Sequence, residues 1–367
     1  MPRVEIDRGA LQRNWAALAA MHPDARTGAA IKANGYGLGA ETVARSLFTA
    51  GCRDFFVAWP EEGLSVRREI GSAGRIFVLQ GIEPAAVEVL AANGLIPVLS
   101  NLDDLTIWAE GIARLGQDAP AALQLETGMN RLGLDERVFL KAMDIVAERK
   151  LDIQLLLSHL ASADVSADDT ADQHRRFEAM TSQFREIPRS LANSAGIVCG
   201  ERFGFDLTRP GMALYGGMAC LRGKVVTEPV ARFTAAVLQV REAESGEKAG
   251  YAGAARLSQR TRIATIGVGY GDGYPRALSG AGVPLRDGRA GPSAFLAGHP
   301  VPILGRISMD MTLLDISDLP DGAVKPGDRA ELFGPQIPID DVAEAAGTIA
   351  YELLTGLGSR VRRDWSC

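Results

Sequence analysis

Cysteine and histidine are scarce in this 367-residue chain, with four of each. Cys52, Cys199, Cys220 and Cys367 are scattered and form no CxxC pair, so neither a zinc ribbon nor a disulfide framework is indicated. Such isolated cysteines ordinarily sit in the core of a protein made in a reducing compartment. His22, His159, His174 and His299 show no HExxH-like spacing, and no metal site is expected. No apolar run approaches the roughly 18–20 residues that cross a bilayer. Residues 1–7, Met-Pro-Arg-Val-Glu-Ile-Asp, offer no apolar segment of a secretory signal. The net charge is −6 with acidic and basic residues interspersed, whereas nucleic acid or an anionic membrane calls for a clustered positive field. These absences lead us to expect a cytoplasmic, soluble protein.

What is present is ample core. Hydrophobic residues make up 47% and charged residues 23%, and the length suits two domains better than one. From residue 27 short apolar runs (27–31, 55–58, 75–79, 95–99, 121–125, 153–157, 190–192 and 211–215) alternate with helical-period stretches (40–50, 61–70, 84–92, 135–148 and 167–184). Near-continuous apolar strands alternating with helices predict a parallel sheet covered by helices. Eight strands in about 200 residues suit a closed (β/α)8 TIM-like barrel, with a doubly wound open sheet as the alternative. Past residue 225 turn chemistry dominates: Ser245-Gly246-Glu247, Asp287-Gly288, Leu319-Pro320-Asp321-Gly322 and Lys325-Pro326-Gly327-Asp328. Strand-like runs at 233–240, 261–268 and 312–316 lie between these turns, and one helical pattern covers 340–354. The expected fold class is α/β, with a barrel over 1–225 and a smaller, mostly β domain over 226–367.

The first barrel strand leads into Lys32-Ala33-Asn34-Gly35-Tyr36-Gly37-Leu38-Gly39. In a parallel barrel, chemistry collects where strands end and loops begin. A lysine there can form a Schiff base once desolvation or a nearby charge lowers its pKa. Glycines let backbone N–H groups approach a phosphate. Taken alone, Lys32 reads equally as a solvated loop lysine, and the GxGxxG spacing of a dinucleotide site is absent.

The segment resembles the cofactor-lysine motif of alanine racemases, commonly KANAYGHG, with Gly35 and Leu38 replacing the usual alanine and histidine. Further blocks resemble the same family in its order. They are Thr127-Gly128-Met129-Asn130-Arg131-Leu132-Gly133, Leu157-Ser158-His159-Leu160-Ala161, Ala192-Asn193-Ser194-Ala195-Gly196 and Thr208-Arg209-Pro210-Gly211-Met212. In the second domain they are Ala249-Gly250-Tyr251-Ala252-Gly253, Gly269-Tyr270-Gly271-Asp272-Gly273 and Gly305-Arg306-Ile307-Ser308-Met309-Asp310. Outside this context His159 and Tyr251 would read as ordinary packing residues.

The resemblance implies pyridoxal 5′-phosphate held through Lys32, with Tyr36, Ser194, Gly211 and Met212 on the phosphate and Arg131 on the phenolic oxygen. It places Arg209 at the pyridine nitrogen and His159 near the cofactor, linking that arginine to the catalytic tyrosine. Arg131 and Met309 would contact substrate, and Tyr270 would line its access path. A permanent cation at the ring nitrogen disfavours its protonation and makes the ring a weaker electron sink. The implied activity is interconversion of L- and D-alanine by Lys32 and by Tyr251 of the partner subunit, in a homodimer that supplies D-alanine for peptidoglycan or serves alanine catabolism. Gln124 stands where many members carry a buttressing lysine, and we expect a simple amide hydrogen bond to support Arg131 instead. The rival readings are a serine or broad-specificity racemase, a decarboxylase and a non-catalytic cofactor-binding protein. Arg209 speaks against the decarboxylase, and the domain carrying Tyr251 and Met309 against the last.

Overall fold

A computed structural model describes residues 1–217, 223–225, 227–280 and 292–366. Asp287-Gly288, Cys220 and Cys367 lie outside the described residues. The chain divides into two compact units, one over Leu11–Leu214 and the other gathering Met1–Ala10, Tyr215–Gly217 and the chain from Glu228 onward. A single cut at residue 225 misses this first segment. The strand Arg3–Ile6 pairs antiparallel with Ala231–Ala243 and parallel with Arg362–Trp365, so its backbone bonds tie it to the later unit.

In the first unit the opening strand is broken at Gly28. Arg26–Thr27 pairs with Leu207–Thr208, while Ala29–Ala30 pairs with Asp54–Val57. A side chain at Gly28 would meet the Asp54 carbonyl oxygen at 2.8 Å, so only glycine lets the two strands approach there. Parallel pairing continues through Arg75–Val78, Leu95–Leu99, Ala121–Gln124, Ile153–Leu157 and Arg189–Ser190. Asp206 N donates to Arg189 O, Arg209 N to Ala192 O, and Gly28 N to Thr208 O, which closes the ring through the eighth strand, Leu207–Thr208. That strand precedes the expected run at 211–215. Met212–Tyr215 instead forms a buried 3-10 turn, because a short apolar run marks burial without choosing between strand and helix.

Phe56, Phe77, Ile96, Val98, Ala122, Leu155, Leu157 and Leu207 cluster in the barrel, with Phe56 stacked on Phe77 at 4.8 Å. The covering helices start where a side chain can satisfy the first free N–H groups. Asn101, Asp135 and Ser166 accept from Asp104, Val138 and Asp169 N, opening Leu102–Leu115, Glu136–Arg149 and Ala167–Thr181.

The second unit is built on a closed antiparallel ring. Ala231–Ala243 pairs with Thr261–Ile266, which pairs in turn with Thr312–Asp315, His299–Leu304, Ser293–Leu296 and Arg329–Phe333, and the last returns to Ala231–Ala243. A register shift between Val237 and Gln239 bends the 13-residue strand, so that its two halves serve two ladders. The helical pattern at 340–354 resolves into Ile339–Ala346 and Ala350–Thr355, separated at Gly347, whose φ of 72° ends the first helix.

Candidate active site

Lys32 leaves the first barrel strand and begins a turn of the wrong hand for L-residues. Ala33, Asn34, Gly35, Tyr36 and Gly37 all have positive φ, between 53° and 81°. Gly35 N donates to Ile31 O and Gly37 N to Ala33 O, each at 2.8 Å, closing the turn on itself. Asn34 Oδ1 accepts from Ala40 N at 3.0 Å and caps the following helix, Ala40–Ala50. Burial pulls the Lys32 amine below its ordinary pKa, the Arg131 cation adds to this, and Glu62 opposes both. An amine so shifted is more often the free nucleophile that an aldehyde requires.

Three further strand ends bring their groups to the same region. Arg209 is fully buried and donates to Ser190 Oγ and to Ser158 O, the latter at 2.6 Å, with its guanidinium 5.8 Å from the Phe56 ring centre. Its partners are neutral oxygens, and burial lowers its pKa to about 10, so it stays cationic at neutral pH. His159 is pushed down to about 3, by burial first and then by Arg209, Arg131 and Lys32, so its ring is neutral. Three cations converging on one neutral histidine make a site suited to anionic groups.

Arg131 is exposed on a loop that folds back on its own strand. Leu125 bridges Leu134, Glu126 N donates to Leu134 O, and the Glu126 carboxylate accepts from Gly128 and Asn130 N. Gly133 is required there, since a Cβ would lie 2.7 Å from Glu126 N. The amide of Gln124 does form a hydrogen bond, at 3.1 Å, but to the backbone carbonyl of Leu132. Its support for Arg131 therefore runs through the loop backbone.

Tyr36, Ser194, Gly211 and Met212 also come together. Ser194 Oγ accepts from Gly211 N at 2.8 Å and from Ala213 N at 3.3 Å, and Asn193 caps the short turn by accepting from Gly196 N. A Cβ on Gly211 would stand 2.4 Å from Tyr36 Oη, so the tyrosine hydroxyl lies directly over that glycine. Met212 is buried in the same turn.

Tyr251, Tyr270 and Met309 belong to the second unit, where all three are exposed. Tyr251 sits at the tip of the hairpin Lys248–Ala249 and Ala255–Arg256, after Gly250. Tyr270 N donates to Ser308 O and Gly271 N to Met309 O, zipping those two loops together, and Arg360 pairs with Asp272 and Asp310 beside them. Glu62, Ser190 and Gln173 were missed in the sequence. Gln173 donates to His159 O and Thr127 Oγ1 and accepts from Ala161 N, joining two loops. Only Glu62 left a signal, as the third residue of a helix opening Trp59-Pro60-Glu61-Glu62. Among the described residues no group of three or more His, Cys, Asp or Glu could hold a metal, and no helix is long and apolar enough to cross a membrane.

A model of the alanine racemase N-terminal domain matches residues 6–219, and a model of the alanine racemase C-terminal domain matches residues 230–365. The chain belongs to the alanine racemase family. It is 44% identical to the biosynthetic alanine racemase of Agrobacterium fabrum over 99% of this chain and 93% of that protein. It is 42% identical to the catabolic alanine racemase of the same organism, over 98% and 91%. The crystal structure of the alanine racemase from Bartonella henselae, with covalently bound pyridoxal phosphate, superposes with a TM-score of 0.91 at 35% identity, covering 100% of this chain and 99% of that one. Relatives of both metabolic roles thus share this frame at nearly equal identity.

Proposed function

We propose that this protein is a pyridoxal-phosphate-dependent alanine racemase working as a homodimer, in which Lys32 and Tyr251 of the partner subunit are the two bases. The observation that carries the reading is the convergence on Lys32. A partly buried amine with a lowered pKa ends the first strand, beside Arg131, neutral His159 and the buried Arg209.

The residues present fit the cofactor. The amine suits its aldehyde, the Arg131 cation its phenolic oxygen, and the cradle of Tyr36 Oη, Ser194 Oγ, Gly211 and the Met212 N–H its phosphate. The close approach of Tyr36 Oη to Gly211, which leaves no room for a Cβ, brings the hydroxyl and the glycine backbone together as such a cradle needs. Bound there, pyridoxal phosphate supplies the conjugated electron sink that acidifies the Cα–H of an attached amino acid.

The chain's own groups then decide the outcome. Arg209 would lie by the ring nitrogen of the bound cofactor, where its charge would disfavour a proton, weaken the electron sink and limit side reactions such as transamination. Neutral His159 can accept or donate a hydrogen bond between Arg209 and the catalytic tyrosine. Arg131 and the Met309 N–H hold the substrate carboxylate, and Tyr270 lines the access path. The Lys32 amine would take or return the proton on one face of the substrate Cα. Tyr251 of the partner subunit does so on the other, Lys32 serving D-alanine and Tyr251 L-alanine. The barrel unit, Leu11–Leu214, would hold the cofactor, and the later unit would lend the tyrosine.

Borohydride reduction of the pyridoxal-phosphate-loaded protein should fix the label on Lys32, and Lys32→Ala should lose both the label and turnover. Racemisation retained by Lys32→Ala without added amine would sink the assignment.

A further inference from the structure

The left-handed run at Ala33–Gly37 needs a physical cause. A left-handed residue other than glycine costs roughly 1–2 kcal/mol, and such residues persist only where the surroundings over-determine them. Ala33, Asn34 and Tyr36 are three in succession around one glycine, with φ values of 53°, 56° and 54°. Asparagine tolerates this region, whereas alanine brings no side-chain bond to offset it.

The Glu62 carboxylate supplies what the turn lacks. Its Oε1 accepts from Ala33 N at 2.7 Å and from Asn34 N at 3.4 Å, the first two N–H groups after Lys32. Its Oε2 accepts from Ala58 N at 2.7 Å and Trp59 N at 3.3 Å, at the start of the helix Pro60–Ile70. The strands Ala29–Ala30 and Asp54–Val57 are direct neighbours, so one carboxylate bridges two adjacent strand ends. A carboxylate receiving several N–H groups forms the stronger, charge-assisted kind of hydrogen bond.

We propose that Glu62 is the positioning residue of the cofactor lysine: its carboxylate clamps the left-handed turn after Lys32 and so fixes where the amine leaves the strand. The inference rests on the reading that Lys32 carries pyridoxal phosphate. The charged and titratable groups acting on Lys32 are Glu62, Arg131 and His159, and Glu62 alone holds its proton on.

The test follows capture of pyridoxal phosphate by the full-length, cofactor-stripped protein as a function of pH. Borohydride fixes the product, mass spectrometry locates it, and hydrogen exchange is read at the Ala33 and Asn34 amides. In Glu62→Gln the plateau rate of capture should fall by about tenfold or more, as a misplaced nucleophile requires. Its midpoint should move to lower pH, because a charge that raises the Lys32 pKa is gone. The two amides should exchange roughly tenfold faster, the fold-change for one lost charge-assisted bond. A general loss of stability would slow capture without shifting the midpoint. Ala33→Gly in the Glu62→Gln background should recover much of the plateau, since glycine accepts positive φ freely.

A Glu62→Gln protein with wild-type plateau, midpoint and exchange would overturn the proposal. So would a Glu62→Gln chain that fails to fold and is not rescued by Ala33→Gly, since Glu62 would then serve the fold in general. A wild-type protein labelled elsewhere than Lys32 would instead defeat the reading beneath it, while the exchange data would still judge the clamp.

Discussion

Adding one methyl group at Gly211 should separate the phosphate cradle from ordinary packing. The new Cβ of Gly211→Ala would lie 2.4 Å from Tyr36 Oη, 3.3 Å from Tyr36 Cζ and 3.6 Å from Ala30 Cβ. An ordinary contact begins at about 3.4 Å, so the hydroxyl must retreat by roughly 1 Å. The ring has little room to do so, because Tyr36 is buried and its backbone is held in the turn closed by Gly35 N and Gly37 N. Overpacking of this kind costs about 1–3 kcal/mol, or about 2–12 °C in the Tm of a unit of this size. Cofactor binding should suffer further. Displacing one charge-assisted donor from the phosphate costs about 1.5–3 kcal/mol, ten- to a hundredfold in Kd. The assay is a cofactor titration by fluorescence together with thermal melts. Gly116→Ala is the control: its φ is +60° with nothing within 4 Å of a new Cβ, so it introduces backbone strain without a clash. Gly116→Ala should melt earlier yet bind the cofactor normally. If Gly211→Ala bound pyridoxal phosphate as tightly as Gly116→Ala does, the cradle would be misplaced.

Three further predictions concern His159 and Arg209. His159 titrates near 3 in the folded chain against an ordinary value near 6.5, so below pH 6.5 the unfolded chain takes up a proton that the folded one refuses. Stability should therefore fall as pH drops from about 6.5 towards 3, by up to about 1.4 kcal/mol per pH unit from this group. His159→Gln should flatten that fall in urea titrations at pH 7, 5 and 4, and equal slopes in the two proteins would contradict the assignment. Arg209→Gln removes the second cause of the histidine's shift, so the His159 midpoint followed by NMR should rise. The same variant should form severalfold more pyridoxamine phosphate per racemisation event than the parent. An unchanged ratio would mean that Arg209 does not restrain the ring.

Much of this architecture was legible because burial and periodicity are local. The runs at 75–79, 95–99 and 153–157 fall on strands within a residue, and the helix expected at 40–50 is Ala40–Ala50. The errors have physical reasons. Met212-Ala213-Leu214-Tyr215 is as apolar as a barrel strand, yet it coils, and the true eighth strand, Leu207–Thr208, is too short to leave a periodic trace. The strand Arg3–Ile6 joins the later unit through partners more than 200 residues away, and no local pattern encodes such a pairing. Within the site, the identities of Lys32, Arg131, His159 and Arg209 came from motif resemblance, while the converging charges emerge only from the fold. The left-handed backbone at Ala33 was invisible, since alanine favours the opposite hand, and the clamp on it comes from a different strand end.

The two-base claim is tested most directly by incubating L-alanine and D-alanine separately with the protein in heavy water. Deuterium at Cα is followed by NMR and inversion by circular dichroism, for the parent and for Tyr251→Phe. The parent should exchange and invert both enantiomers. Tyr251→Phe should still bind pyridoxal phosphate and exchange the Cα proton of D-alanine through Lys32, with inversion and exchange of L-alanine largely lost. Inversion at the parent's rate in both directions by Tyr251→Phe would contradict the claim that a tyrosine faces Lys32 across the substrate.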